Sequence, residues 1–181
     1  NMTEVYDLPN PPADIVMGVI SSHTVEISWN GGNNNLPVEY GVWADTNSVL
    51  PAAVAAPFKN PFDRAFMFEG LTPNTTYLFY GLAKDPVGGA SSEHVFLGQA
   101  LTHAAAPGQL LSSQLFGSSI TVAFDTGVNP AGTEYFVRLS TVADWSLIAV
   151  ESGWVGQPAY TFSGLAVNTT YYLCGKARNS A

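Results

Sequence analysis

Apolar and polar residues alternate in short runs along the chain. In HTVEISW (23–29), Val25, Ile27 and Trp29 fall on one side with polar neighbours between them, and SITVAF (119–124) repeats this with Ile120, Val122 and Phe124. A period of two is the mark of a half-buried β-strand. Such runs recur about every ten residues, separated by NGGNNNLP, PNTT, GG and SGWVGQP, which carry the residue types that turns require. No stretch sustains a 3.6 period. VLPAAVAAPF (49–58) is apolar enough for a helix, but Pro51 and Pro57 leave room for a turn at most. The pattern predicts an all-β chain of the sandwich kind.

The pattern is written twice. FEGLTPNTTYLFYGLAKDP (68–86) aligns with FSGLAVNTTYYLCGKARNS (162–180) at an offset of 94, placing Phe68 on Phe162, Leu71 on Leu165, Tyr77 on Tyr171 and Ala83 on Ala177. Upstream, VEISW (25–29) matches ITVAF (120–124), VEYGVWAD (38–45) matches TEYFVRLS (133–140), and Pro12 matches Pro107, all at an offset of 95. Blocks in the same order at one period mean two copies of one unit.

Each copy resembles a fibronectin type III domain of the bacterial, extracellular type. The resemblance rests on a proline-led first strand, Trp29 or Phe124 closing the second, Tyr40 or Tyr135 opening the third, and the blocks GLTPNTTYLFYGLAKD and GLAVNTTYYLCGKARN. It implies two Ig-like sandwiches in tandem, residues 10–104 and 105–181, preceded by an N-terminal strand at 1–9. It also implies that Tyr77 and Tyr171 form tyrosine corners, their hydroxyls bonded back to the backbone. Phe124 departs from the family's usual Trp, and no RGD-type loop occurs, so integrin-style adhesion is not implied.

A sandwich of this family has seven strands, A to G. SSEHVFLGQALTH (91–103) supplies strand G of the first copy, whereas the second stops at TTYYLCGKARNSA, after strand F. NMTEVYDL (1–8) precedes the first copy as VFLGQALT precedes the second. The expectation is a second sandwich without its own strand G and a spare strand at the other end. About three inward side chains at roughly 1.5–3 kcal/mol each make that loss about 5–9 kcal/mol, against a total domain stability of about 5–15 kcal/mol. Three resolutions stand: the strand comes from another molecule, from further sequence of a longer array, or from nowhere, leaving a frayed edge. The first is the leading expectation: a head-to-tail homopolymer built by β-strand donation, a contact that does not close on itself. Its donor residues are Met2, Val5, Tyr6 and Leu8, and its acceptor residues on strand F are Tyr171, Leu173, Cys174 and Ala177. Under strict alternation Met2, Tyr6 and Leu8 share a face interrupted by Glu4, with Thr3, Val5 and Asp7 opposite.

Composition narrows the chemistry. Fourteen acids against six bases give a net charge of −8, which argues against nucleic acid or an anionic membrane as partner. Lys59, Arg64, Lys84, Arg138, Lys176 and Arg178 look scattered, with no basic patch. NMTEVYDLPN has neither the basic nor the apolar region of a signal peptide, and no apolar run is long enough to insert in a membrane. Cys174, between Leu173 and Gly175, reads as a small buried hydrophobe. His23, His94 and His103 lack partners at ligand spacing, so no metal or cofactor is expected. No phosphate loop or nucleophile elbow occurs, and Glu39 and Glu134 read as solvent-face strand residues in separate copies. No catalytic residue is expected. Asn74 and Asn168 lie in sequons, as does Asn1, and the first two also suit the turn they occupy. Trp154, read as a loop residue, and Trp145 are candidates for glycan stacking or interface packing, while Trp43 also lies outside the core Trp29 position. The sequence therefore predicts a non-enzymatic subunit of an extracellular or cell-surface filament. The alternative is a spacer or carbohydrate-contacting array from a larger secreted enzyme or adhesin, with polysaccharide as partner.

Overall fold

The computed structural model describes residues 7–34, 37–47, 54–55 and 63–179. Among them the chain forms thirteen strands and no helix, so no helix is long and apolar enough to cross a membrane. The chain divides into two compact units, Asn1–Leu71 with Thr75–Thr102, and Thr72–Asn74 with His103–Ala181.

In the first unit, β1 (Ala13–Ile20), β2 (Val25–Asn30) and β5 (Ala65–Phe68) make one antiparallel sheet in the order β1-β2-β5. The facing sheet runs β4-β3-β6-β7, from β3 (Glu39–Asp45), β4 (Val54–Ala55), β6 (Thr76–Lys84) and β7 (Val95–Leu101). The alternation of the sequence decides which face turns inward. Val25, Ile27 and Trp29 from β2 meet Tyr40, Val42 and Ala44 from β3 and Tyr77, Phe79 and Ala83 from β6 in one core. The short β4 falls in VLPAAVAAPF, where the prolines had excluded a helix; the rest of that stretch lies outside the described residues.

The second unit repeats the plan. β8 (Leu110–Phe116), β9 (Ser119–Phe124) and β12 (Ala159–Phe162) pair in the order β12-β9-β8. β10 (Glu134–Ser140), β11 (Ile148–Val155) and β13 (Tyr172–Arg178) pair in the order β11-β10-β13. Met17 stands opposite Ile27 in the first unit and Ser112 opposite Val122 in the second, so the offset of 95 holds residue by residue in the strand register.

Two repeated devices lock the first strand of each unit in place. A Cβ added at Gly81 would meet Pro12 Cγ at 2.7 Å, and one at Gly175 would meet Pro107 Cγ at 3.2 Å, so each proline packs on a glycine of the opposite sheet. Asn34 accepts the Asn10 amide at 2.7 Å and donates to the Asn10 and Gly31 carbonyls. Its counterpart Asn129 accepts the Ala105 amide at 2.8 Å and donates to the Ala105 and Thr126 carbonyls. Tyr40 and Tyr135 donate to those same Gly31 and Thr126 carbonyls.

Two expectations are corrected. Cys174 is exposed: Leu173 and Gly175 turn toward the interior, and strict alternation sends the thiol outward, opposite Arg138 in the register. Trp154 is not in a loop but in β11, paired across the sheet with Phe136.

Candidate strand-acceptor edge

β13 is joined to β10 over seven residue pairs, from Glu134 opposite Arg178 to Ser140 opposite Tyr172. Among the described residues no strand pairs with its other side. The equivalent strand of the first unit, β6, is paired on both sides, with β3 and with β7. An edge strand of this kind presents a row of backbone donors and acceptors without ladder partners.

The side chains record the same difference. Leu71, Tyr77, Phe79 and Ala83 are all buried in the first unit, Phe79 and Ala83 completely. Their counterparts Leu165, Tyr171, Leu173 and Ala177 are only half-buried. Elsewhere most core pairs agree: Ile27 and Val122, Tyr40 and Tyr135, Val42 and Val137, and Phe68 and Phe162 are buried in both, whereas Ile120 is half-buried where Val25 is buried. The loss of burial falls on β13, the turn that leads into it and Ile120 of β9.

A cavity of about 150 Å³ opens at the start of this edge, lined by Phe116, Ser119, Ile120, Leu165, Thr169 and Tyr171 among others. In the first unit the corresponding place lies beside the end of β7. Ala100 stands opposite Tyr77, and Thr102, fully buried, accepts the Thr75 amide on Oγ1 at 3.0 Å while its own amide donates to the Thr75 carbonyl at 3.1 Å. Thr169 is the counterpart of Thr75. The Tyr171 hydroxyl accepts the Ala166 amide at 3.0 Å, which makes it a tyrosine corner, although β13 itself begins one residue later, at Tyr172.

The outer face of the β11-β10-β13 sheet gathers what looked scattered in the sequence. Arg178 lies 4.2 Å and Lys176 5.1 Å from the Trp154 ring centroid, while Lys176 and Arg138 lie 4.9 and 5.2 Å from that of Phe136. Glu134 pairs with Arg178 and Glu151 with Arg138, both at 2.7 Å. Each exposed pair adds little stability, but the layer covers Trp154, which is half-buried beneath cations. Alternation alone puts residues 136 and 138 on one face of β10 and 174, 176 and 178 on one face of β13. The sequence lacked the register that sets these rows side by side.

The remaining candidates fall elsewhere. Leu8 is 61 % exposed, whereas Met2, Val5 and Tyr6 lie outside the described residues. Trp145 sits half-buried between β10 and β11 at a φ of 60°. Asn74 and Asn168 have φ values of 45° and 51°, the left-handed conformation that asparagine tolerates better than most residues. Trp43 is buried, stacked on Tyr80 and touched edge-on by His94. Among the described residues no group of His, Cys, Asp and Glu could hold a metal ion.

No family model matches the chain, and no curated protein does. Solved structures do. A two-domain fibronectin type III segment of chicken tenascin superposes with a TM-score of 0.57 at 15 % identity, covering 94 % of this chain and 93 % of that one. The FN1–FN3 domains of chicken CNTN1 give a TM-score of 0.49 at 18 % identity, covering 96 % of this chain and 62 % of that one. The fold is that of tandem fibronectin type III sandwiches.

Proposed function

We propose that the chain is a structural, non-enzymatic subunit of an extracellular filament or surface fibre, and that it assembles head to tail. Residues 2–8 of one copy lie along the start of β13 of the next and extend the β11-β10-β13 sheet. One observation carries this reading: Tyr171 and Leu173 are half-buried where their first-unit counterparts Tyr77 and Phe79, which stand opposite β7, are buried. A strand laid on β13 returns them to the interior and gives the edge backbone its hydrogen-bond partners, the two gains by which β-strand addition binds. The segment at 2–8 stands in the sequence where β7 and its sequel stand before the second copy. The extracellular setting is carried over from the sequence resemblance to fibronectin type III domains of the extracellular type.

Sedimentation velocity across a range of concentrations tests the proposal. The full chain is expected to form polymers that lengthen with concentration. The chain lacking residues 1–8 is expected to remain monomeric, and added synthetic peptide of residues 1–8 to cap and shorten the polymers. A full chain that stays monomeric throughout, or polymers that survive the deletion, would overturn it. The monomeric outcome would favour the spacer or carbohydrate-contacting array.

A further inference from the structure

β7 shows how a strand must be shaped to cover such an edge. It is not regular: Phe79 stands opposite Gly98 and Tyr80 opposite Phe96, so Leu97 is an extra residue in the ladder. Gly98 has a φ of 153°, and the pair forms a bulge that disturbs the alternation. Leu97 and Ala100 therefore both pack on the core despite their odd spacing, while Gln99 between them is exposed. Phe96 lies on the outer face, its ring 5.5 Å from that of Tyr80.

The offset of 95 carries this shape onto the N-terminal segment. Met2 takes the place of Leu97, Thr3 of Gly98, Glu4 of Gln99, Val5 of Ala100, Tyr6 of Leu101 and Asp7 of Thr102. The interruption at Glu4 disappears: with a bulge at Thr3, Met2 and Val5 face inward together and Glu4 faces water. Ser112 of β8 occupies the place of Met17, whose Cε would lie 3.1 Å from a Cβ at Gly98. The smaller side chain leaves room for the Cβ of Thr3, although the φ of the bulge strains any residue with a side chain. Asp7, exposed in the single chain, falls where Thr102 accepts the Thr75 amide, opposite Thr169 at the cavity.

We propose that residues 1–7 of a second copy dock on β13 in the register that β7 holds on β6, with Met2 and Val5 inward, a bulge at Thr3, and the Asp7 carboxylate in the cavity accepting the Thr169 amide. This rests on the head-to-tail reading and specifies its binding site. The donor is a short acidic segment with apolar residues three apart, rather than a simple alternating strand. In this register Asn1 lies beside Cys174, as Phe96 lies beside Tyr80.

Cys174 is the chain's one cysteine and already exposed, so it reports the register directly. Asn1→Cys, mildly oxidised in the full chain, is expected to give a ladder of disulfide-linked oligomers that disappears when Cys174→Ser is added. Tyr6→Cys, set opposite Thr170, is expected to give none. Thr3→Gly is expected to lower the concentration for assembly severalfold, since glycine accepts the φ of the bulge. Asp7→Ala is expected to raise it, and Glu4→Ala to leave it unchanged. Polymers that depend on residues 1–8 but cross-link equally from position 6, or respond alike at positions 4 and 7, would overturn the register while leaving head-to-tail assembly standing. Polymers indifferent to residues 1–8 would overturn both.

Discussion

Gly81 and Gly175 do the same work under different loads. A methyl group at Gly81 would come within 2.7 Å of Pro12 and 2.9 Å of Leu97, whereas at Gly175 the nearest contacts are 3.2 Å to Pro107 and 3.3 Å to Leu110. Overpacking of this kind costs about 1–3 kcal/mol. Gly81→Ala is therefore expected to destabilise the first unit toward the upper part of that range, and Gly175→Ala the second by less, as measured by urea denaturation. Equal losses would contradict the packing described. Asn129 satisfies three backbone groups at once; Asn129→Ala leaves them without their partner and is expected to cost about 1–3 kcal/mol, read in the same experiment. Burial raises the Tyr135 hydroxyl above the ordinary tyrosine range, because the neutral form is favoured inside. The folded pKa is the higher one, so this contribution to stability is complete below the ordinary value and is lost as pH rises toward the raised one. The second unit is expected to weaken in alkali, and less so in Tyr135→Phe. At this scale the sequence revealed the core aromatics Trp29, Phe124, Tyr40 and Tyr135, since a large ring in an alternating run has one place to go. It did not reveal Asn34 and Asn129, which lie in polar turns where any polar residue would pass. The offset of 95 pairs them, and that was the available signal.

At the scale of the element, β6 and β13 are nearly the same strand with different neighbours. The strand covered on both sides buries its inner residues, and the strand paired on one side leaves them half-exposed. Thermal unfolding at low concentration is expected to show two transitions, the second unit melting first. Added peptide of residues 1–8 should move only that lower transition upward, by mass action. A single transition unmoved by peptide would contradict the difference drawn between the units. Strands such as β2 and β9 were legible because one apolar face writes itself into the sequence with period two. What depends on the neighbouring strand was not. The bulge at Leu97 and Gly98 breaks the alternation that would announce it, and a lone glycine does not say which residues turn inward. The cation-covered face of Phe136 and Trp154 needs the register of three strands, and Cys174 was misread because its apolar neighbours belong to the opposite face.

For the whole molecule, the repeat and the all-β class were legible because two copies of one pattern reinforce each other. Net charge bears on the proposed assembly. Copies carrying −8 each repel at long range, and salt screens that repulsion over a Debye length of about 8–10 Å near physiological ionic strength. Polymerisation is therefore expected to strengthen as sodium chloride is raised from low concentration, by light scattering. Weakening over that range would mean that attraction between opposite charges, rather than apolar burial and backbone pairing, drives association. The central claim is that the free side of β13 is a place for a strand. Hydrogen exchange of the β13 amides, followed by NMR or mass spectrometry as protein concentration is raised, tests it most directly. Amides turned toward β10 should be protected throughout, and those of Tyr172–Cys174 turned away should exchange rapidly when dilute and become protected as copies associate. Outward amides of Tyr172–Cys174 that stay unprotected while the chain polymerises would place the contact elsewhere and contradict the account.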